Sequence, residues 1–417
     1  MAMRTSVRQS TTPSRALLGS GLFVGLATFA ANGLNALFQI ALARVLSPAE
    51  YSVLVALVVI TLIAAVPPLA FQASVAREVA LELDGGRRDR AGAALRDTVR
   101  GLVPWALGVL LLGGVASVVM AVAGSGDAGA TFATTSTIAF ALVIPAVWGG
   151  LLGARLFLVF GLAQLAFAGT RFAAGLGIGL AGGDAGAVMA GVAAATALTL
   201  GLTFLPLREL WHAAEQARRR RLATLPNAAA ATGLTVLMAL ATVDVLVANL
   251  AFSSTTAGAY GVASVCARVQ LLLPIGVVTV LFPRVATLRD PERERRHLLA
   301  GLGVVATLGA FVTALLWVFA GPIVDDIFGE KYHAAVPWLG PLSLAMALYA
   351  LATVYLYHFL SLARTRFALV LVAIQILQLI AFAVLHGSPR ELIGVQIVAS
   401  AVTVAAAEAW YLLRGRP

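Results

Sequence analysis

The sequence predicts an all-α polytopic membrane protein with about twelve transmembrane helices, arranged as two six-helix lobes. Three observations predict it. Of the 417 residues, 60% are hydrophobic and only 12% charged, with a mean hydropathy of +0.94, whereas a soluble chain carries roughly 25% charged residues. The apolar residues gather in runs of about 20, the length a bilayer-crossing helix needs, without strand-like alternation. The basic residues fall almost entirely on one side of those runs. No soluble fold hides this much apolar surface, so a soluble enzyme is excluded. The formal charge of +10 does not point to nucleic acid, because the arginines sit in short clusters between apolar runs, where they act as topology signals. The single cysteine, Cys266, lies inside an apolar run and excludes an intrachain disulfide or a cysteine metal site. Twenty-eight Arg against one Lys, Lys331, fit a GC-rich bacterial genome.

Taken in order, helices are predicted near 16–43, 51–76, 101–123, 132–154, 156–181, 185–207, 226–252, 258–282, 298–320, 337–362, 367–386 and 392–412. Backbone groups in lipid must be paired within helices or a closed barrel, and runs this long without alternation exclude the barrel. The first run is too long for a signal-peptide core and lacks a convincing cleavage site, so it reads as a retained span. With a cytoplasmic N-terminus, 24 of the 29 basic residues fall inside and three (Arg44, Lys331 and Arg390) outside, while Arg171 and Arg268 lie within helices. That bias predicts an even number of spans with both termini cytoplasmic. The predicted organisation is a tail at 1–15, an N-terminal lobe at 16–207, a basic linker at 208–225, a C-terminal lobe at 226–412 and a tail at 413–417. No loop is long enough for a soluble catalytic domain; the longest outer one spans 321–336.

The halves echo each other. Ala43-Arg44-Val45-Leu46-Ser47-Pro48-Ala49-Glu50-Tyr51 and Ser253-Ser254-Thr255-Thr256-Ala257-Gly258-Ala259-Tyr260 each form an outer turn, and their tyrosines lie 209 residues apart, half the chain. Each returning helix carries proline (Pro67 and Pro68; Pro274 and Pro283) and ends at arginine (Arg77; Arg284). Two lobes of the same orientation, related by an axis along the membrane normal, fit this pattern.

The first of these turns resembles the first outer loop of the polysaccharide (O-antigen-type) flippases of the multidrug/oligosaccharidyl-lipid/polysaccharide (MOP) exporter superfamily. Thr242-Val243-Asp244-Val245-Leu246, Ala257 to Tyr260, Arg268 and Phe282-Pro283-Arg284 resemble that family's seventh and eighth helices. Ile327-Phe328-Gly329-Glu330-Lys331-Tyr332, with Ala334-Ala335, resembles its ninth-to-tenth loop. The resemblance implies a MATE-like fold of two lobes around a central cavity. It also implies transport of an undecaprenyl-linked sugar from inner to outer leaflet by alternating access, in a bacterial cytoplasmic membrane. Twelve helices match this form better than the fourteen typical of lipid II flippases. The partners implied are the lipid-linked glycan, the bilayer, and a polysaccharide polymerase or glycosyltransferases, with no cofactor and no nucleic acid.

Charged groups inside a bilayer cost about 2.5–3.5 kcal/mol on insertion scales and need a partner or a wet cavity. Asp244 precedes the outer turn by about 11 residues and Arg268 follows it by about 12, which puts both roughly 17 Å deep on neighbouring helices at 1.5 Å per residue. They read either as a structural ion pair or as a function: Asp244 an ion-coupling site, Arg268 an anchor for phosphate. Arg171 lies at a similar depth with no acid in its own half at that level. It reads as a contact for the substrate diphosphate, since guanidinium grips phosphate in bidentate fashion, or as pairing with Asp244 or a carbonyl. Thr28, Asn32, Asn35 and Gln39 form one polar stripe on the first helix, for interhelical hydrogen bonding or for sugar hydroxyls. Gln375 and Gln378 are expected to face the same lumen, His358 to sit at the interface, and Glu408 to snorkel or meet Arg414. Pro67, Pro68, Pro145, Pro274 and Pro283 read as kinks or hinges.

There is no G-x-x-x-x-G-K-[ST] loop, so ATP is not hydrolysed by that route, and an ion gradient or the membrane potential is the expected energy source. The chief alternative is a MATE-type cation-coupled multidrug exporter. Such carriers bury acidic residues among their helices; the first six spans here show none by sequence, and Arg171 favours an anionic cargo.

Overall fold

The computed structural model describes residues 15–124, 127–213, 228–277, 291–362 and 364–414, and among these the chain is helical with no strand. Among the described residues, twelve helices are long and apolar enough to cross a membrane. They are α1 (Leu22–Val45), α2 (Pro48–Asp84), α3 (Arg88–Ala123), α4 (Ala128–Gly153), α5 (Phe157–Leu180), α6 (Ala185–Ala213), α7 (Ala230–Ala251), α8 (Ser254–Val277), α9 (Glu292–Val318), α10 (Glu330–Ser361), α11 (Phe367–Val384) and α12 (Pro389–Leu413). This is a multi-pass membrane protein. An even number of crossings returns the chain to the face where it began, called here the terminal face; the α1–α2 and α7–α8 turns lie on the opposite, far face. Residues 1–14, most of the predicted linker at 208–225, Pro283, Arg284 and residues 415–417 lie outside the described residues.

The twelve spans match the predicted ones in number and order, but several run further. The second continues to Asp84 rather than ending near 76, and the third begins at Arg88 rather than near 101. Hydropathy stops at the edge of the hydrocarbon, whereas the backbone hydrogen-bond ladder continues through charged residues in water. The predicted terminal-side loop is therefore mostly helix. On the far face, the starts of the returning helices carry side-chain caps: Ser47, Asp127, Asp184 and Ser253 each accept a hydrogen bond from the amide three residues on. Such caps satisfy otherwise unpaired donors at a helix start, and they fix where each short turn ends.

Packing repeats between the halves. In the first, α1 lies on α5, α4 contacts α3, α6 and the second part of α2, and α5 touches α6. In the second, α7 lies on α11, α10 contacts α9, α12 and α8, and α11 touches α12. The two sets meet chiefly where Pro48–Ala65 of α2 lies along α8 with α7 beside it, in the half of the spans nearer the far face. Small residues allow this closeness, as is usual where helices pack in lipid. A Cβ on Gly258 would collide with the Pro48 carbonyl across the seam, and one on Gly175 of α5 would collide with the Phe38 ring of α1. Large apolar side chains such as Trp105, Leu112, Val122 and Leu250 remain more than two-thirds exposed, far beyond what a soluble surface tolerates and appropriate to a lipid-facing one.

The predicted proline effects separate. Pro67 and Pro68 interrupt α2 between Ala65 and Leu69, as the sequence suggests. Pro145 instead lies inside an unbroken α4, and Pro104 and Pro341 are likewise inside helices. In α8, Pro274 follows a 3-10 segment, Arg268–Leu272. A further break was not legible from proline: α7 is split at Ala241-Thr242.

Candidate functional site

The α7 break positions the charged groups of the second half. Val243–Ala251 restarts after Thr242, with Asp244 in its first turn. Asp244 is fully buried; it accepts a hydrogen bond at Oδ2 from the Tyr260 hydroxyl of α8 at 2.7 Å, and its Oδ1 lies 3.7 Å from Nη2 of Arg268. The same guanidinium nitrogen reaches the Thr242 carbonyl at 3.4 Å, at the interruption itself. Asp244 and Arg268, expected at matching depth, therefore meet. Oδ1 of Asp244 and Nε of Arg268 are buried without a hydrogen-bond partner.

Around this pair runs a web that sequence reading missed. Nε2 of Gln378 of α11 lies within hydrogen-bond distance of the Leu240 carbonyl at 3.0 Å, the Tyr349 hydroxyl at 3.1 Å and Oε1 of Gln396 at 2.8 Å, and Tyr349 donates to that same oxygen at 3.1 Å. Gln378 is thus a buried brace between α7, α10, α11 and α12, not a residue of an open lumen. Gln375 lies beside it, with Nε2 at 3.4 Å from Oε1 of Gln378. On α8, Gln270 is fully buried and bonds to Gly309, Thr313 and Ser343 of α9 and α10. Amides isolated within apolar spans are the signal that could have found Gln270 and Gln396, because an unsatisfied amide in hydrocarbon is costly. His358 lies in the last turn of α10, as expected, and is buried there with Nε2 at 3.1 Å from Oε1 of Glu294; Glu408 accepts from the Tyr355 hydroxyl at 2.5 Å, and the side chain of Arg414, its expected partner, lies outside the described residues.

The first half is built differently. Arg171 of α5 is half-buried, its guanidinium carbon 5.0 Å from the Phe167 ring centre and 6.0 Å from that of Phe38. It makes no hydrogen bond or ion pair among the described residues, and its Nε is a buried donor without a partner. Asp244, its alternative partner by sequence, is taken by Arg268. Along α1, Thr28 exchanges hydrogen bonds with Gln164 of α5 at 3.0 and 3.2 Å, so that end of the stripe joins helices. Asn32 is exposed, Asn35 is half-buried, and Oε1 of Gln39 is buried without a partner. At 3.6 residues per turn, this stripe lies roughly a third of the way round α1 from the exposed apolar stripe of Leu22, Leu26, Phe29 and Leu37. The helix thus shows separate lipid-like and polar faces. The first half thus holds a cation with no hydrogen-bond or ion-pair partner among the described residues, and the second a carboxylate with its own cation. One buried acid in the first six spans was also missed: Glu82, 8% exposed near the terminal end of α2, pairs with Arg87.

No protein-family model matches the sequence, and no curated protein sequence matches it. Solved structures do match the fold. An inward-facing multidrug resistance MATE family transporter of the MOP superfamily is similar with a TM-score of 0.69 at 15% identity, covering 92% of this chain and 93% of that one. An outward-facing structure of such a transporter gives 0.63 at 13% identity, covering 95% of each chain. A MOP superfamily transporter from Pyrococcus furiosus Vc1, described as having a binding pocket of reversed polarity, gives 0.59 at 14% identity, covering 95% of each. The chain is thus a multi-pass membrane protein that shares its fold with these MATE family transporters. Identities this low establish the architecture, and the cargo has to be argued from the side chains.

Proposed function

We propose that the protein moves a polyprenyl-diphosphate-linked oligosaccharide, an O-antigen-type precursor, from the inner to the outer leaflet by alternating access of its two lobes. Arg171 carries this reading. A cation kept within a span with no hydrogen-bond or ion-pair partner among the described residues costs insertion energy, and it is compensated when water or an anionic ligand reaches it. Guanidinium is the side chain suited to gripping a diphosphate. Asn32, Asn35 and Gln39 offer amides to sugar hydroxyls along the neighbouring helix. Arg268 joins the diphosphate contact only when its pair with Asp244 opens, and Asp244 is the candidate coupling group. Lobes that meet towards the far face, and a greater likeness to the inward-facing structure than to the outward-facing one, support a two-faced cycle. The arginine bias supports a bacterial plasma membrane with both termini cytoplasmic, where a polysaccharide polymerase or glycosyltransferases would share the substrate.

A second reading, cation-coupled multidrug export, is favoured by the buried Asp244 with its unbonded Oδ1 and by the MATE-type neighbours. One experiment separates them. In proteoliposomes, a fluorescent polyprenyl-diphosphate sugar is expected to become inaccessible to an external quencher at a protein-dependent rate, while a cationic dye is not extruded under a sodium or proton gradient. Dye extrusion without lipid translocation overturns the glycan reading in favour of the second.

A further inference from the structure

Two of the three basic residues left on the far face by the charge pattern are used reciprocally across the lobes. Arg44, in the last turn of α1, donates from Nε to the Ile327 carbonyl at 2.7 Å and from Nη2 to the Asp326 carbonyl. Those carbonyls end the π-helical turn Ile323–Phe328 in the α9–α10 connector. Lys331, just beyond it, donates back to the carbonyls of Arg44 at 3.1 Å and Leu46 at 2.6 Å, at the end of α1. Helix C-termini leave carbonyls unpaired and partly negative, so each lobe supplies the cation that caps the other. Between the two, the buried Tyr332 donates its hydroxyl to the Ala43 carbonyl at 3.0 Å and meets the Tyr51 ring edge-on at 5.6 Å.

The repeat shows that this arrangement is an addition. The equivalent α3–α4 turn spans only 124–127, whereas the α9–α10 connector spans 319–329 and folds into extra turns before α10. The one lysine of the chain stands where its chemistry fits, because an ammonium with three rotatable donors can cap two diverging carbonyls while a planar guanidinium is held to a fixed fork.

We propose that the α9–α10 connector is a far-face latch: Arg44, Lys331 and Tyr332 hold the two lobes together on that face and must release for it to open. The proposal rests on the alternating-access part of the reading above and not on its cargo. Because the latch is built from exposed cations around one buried ring, it can be weakened without removing a core side chain.

The test reads accessibility in the full-length chain in membranes, with Cys266→Ala as background. Ser52 is 3% exposed and accepts a hydrogen bond from Asn249 across the seam, so Ser52→Cys reports opening to an impermeant maleimide added from the far face. Lys331→Met and Arg44→Met are each expected to raise its labelling rate by about tenfold, the scale set by losing charge-assisted hydrogen bonds, and Lys331→Arg is expected to restore it only in part. Ala146→Cys, fully buried in the first lobe, is the control and is expected to stay unlabelled. A rate unchanged in both Met variants overturns the latch. So does a parallel rise at both reporters, which signals general loosening. Labelling that responds as expected in a protein that moves no glycan lipid leaves the latch standing and rejects the cargo.

Discussion

Arg171→Gln is expected to reach the membrane at the wild-type level and to export less than about one-tenth as much lipid-linked glycan, since it forfeits charge-assisted contacts to a diphosphate. The side chain lies against Phe167 and Phe38 and bonds to nothing among the described residues, so its removal breaks no internal ion pair. Arg171→Lys keeps the charge but loses the planar fork, and intermediate export is expected. Surface polysaccharide measured in a complemented deletion strain, against protein quantified in the membrane fraction, checks both. Export that survives Arg171→Gln intact removes the arginine from the binding role.

The second large effect concerns stability. Arg268→Gln leaves Asp244 fully buried beside Tyr260 with no cation, and breaking one side of a buried pair costs about 3–5 kcal/mol. Asp244→Asn combined with Arg268→Gln removes both charges and is expected to recover most of that loss, because replacing a whole buried pair is often near neutral. Thermal unfolding of the detergent-solubilised single and double variants measures the coupling. If the double variant is as unstable as the sum of the singles, the 3.7 Å approach of the two side chains carries no stabilising interaction. The pair also sits at the interruption of α7, so the double variant is expected to lose coupled transport even where its stability returns.

Much of the architecture is legible in the chain because lipid imposes it. Apolar length and arginine placement give twelve spans in order, and the Tyr51–Tyr260 echo points to the repeat that the helix pairing displays. The meeting of Asp244 with Arg268 follows from counting residues to a shared turn. What escaped has a physical reason in each case. The α7 break at Ala241-Thr242 lacks proline or glycine; its trace is a threonine two residues before an acid, an ordinary helix-start pattern hidden inside an apolar run. Gln378 reads as a lumen residue because sequence gives its helix face but not the neighbours, Tyr349 and Gln396, that enclose it. His358 looks interfacial by its position near a helix end, and only the fold brings Glu294 of α9 against it. The connector that carries Lys331 looks like a loop, since its turns are held by carbonyls and cations from the other lobe rather than by local pattern.

Binding of a short-chain polyprenyl diphosphate to the purified protein in nanodiscs, compared with the matching uncharged polyprenol, addresses the central claim most directly. Saturable binding of the diphosphate, weakened at least about tenfold by Arg171→Gln and absent for the polyprenol, is the predicted result. Equal binding of the two lipids, or an Arg171→Gln protein that holds the diphosphate as tightly as the parent, would contradict it.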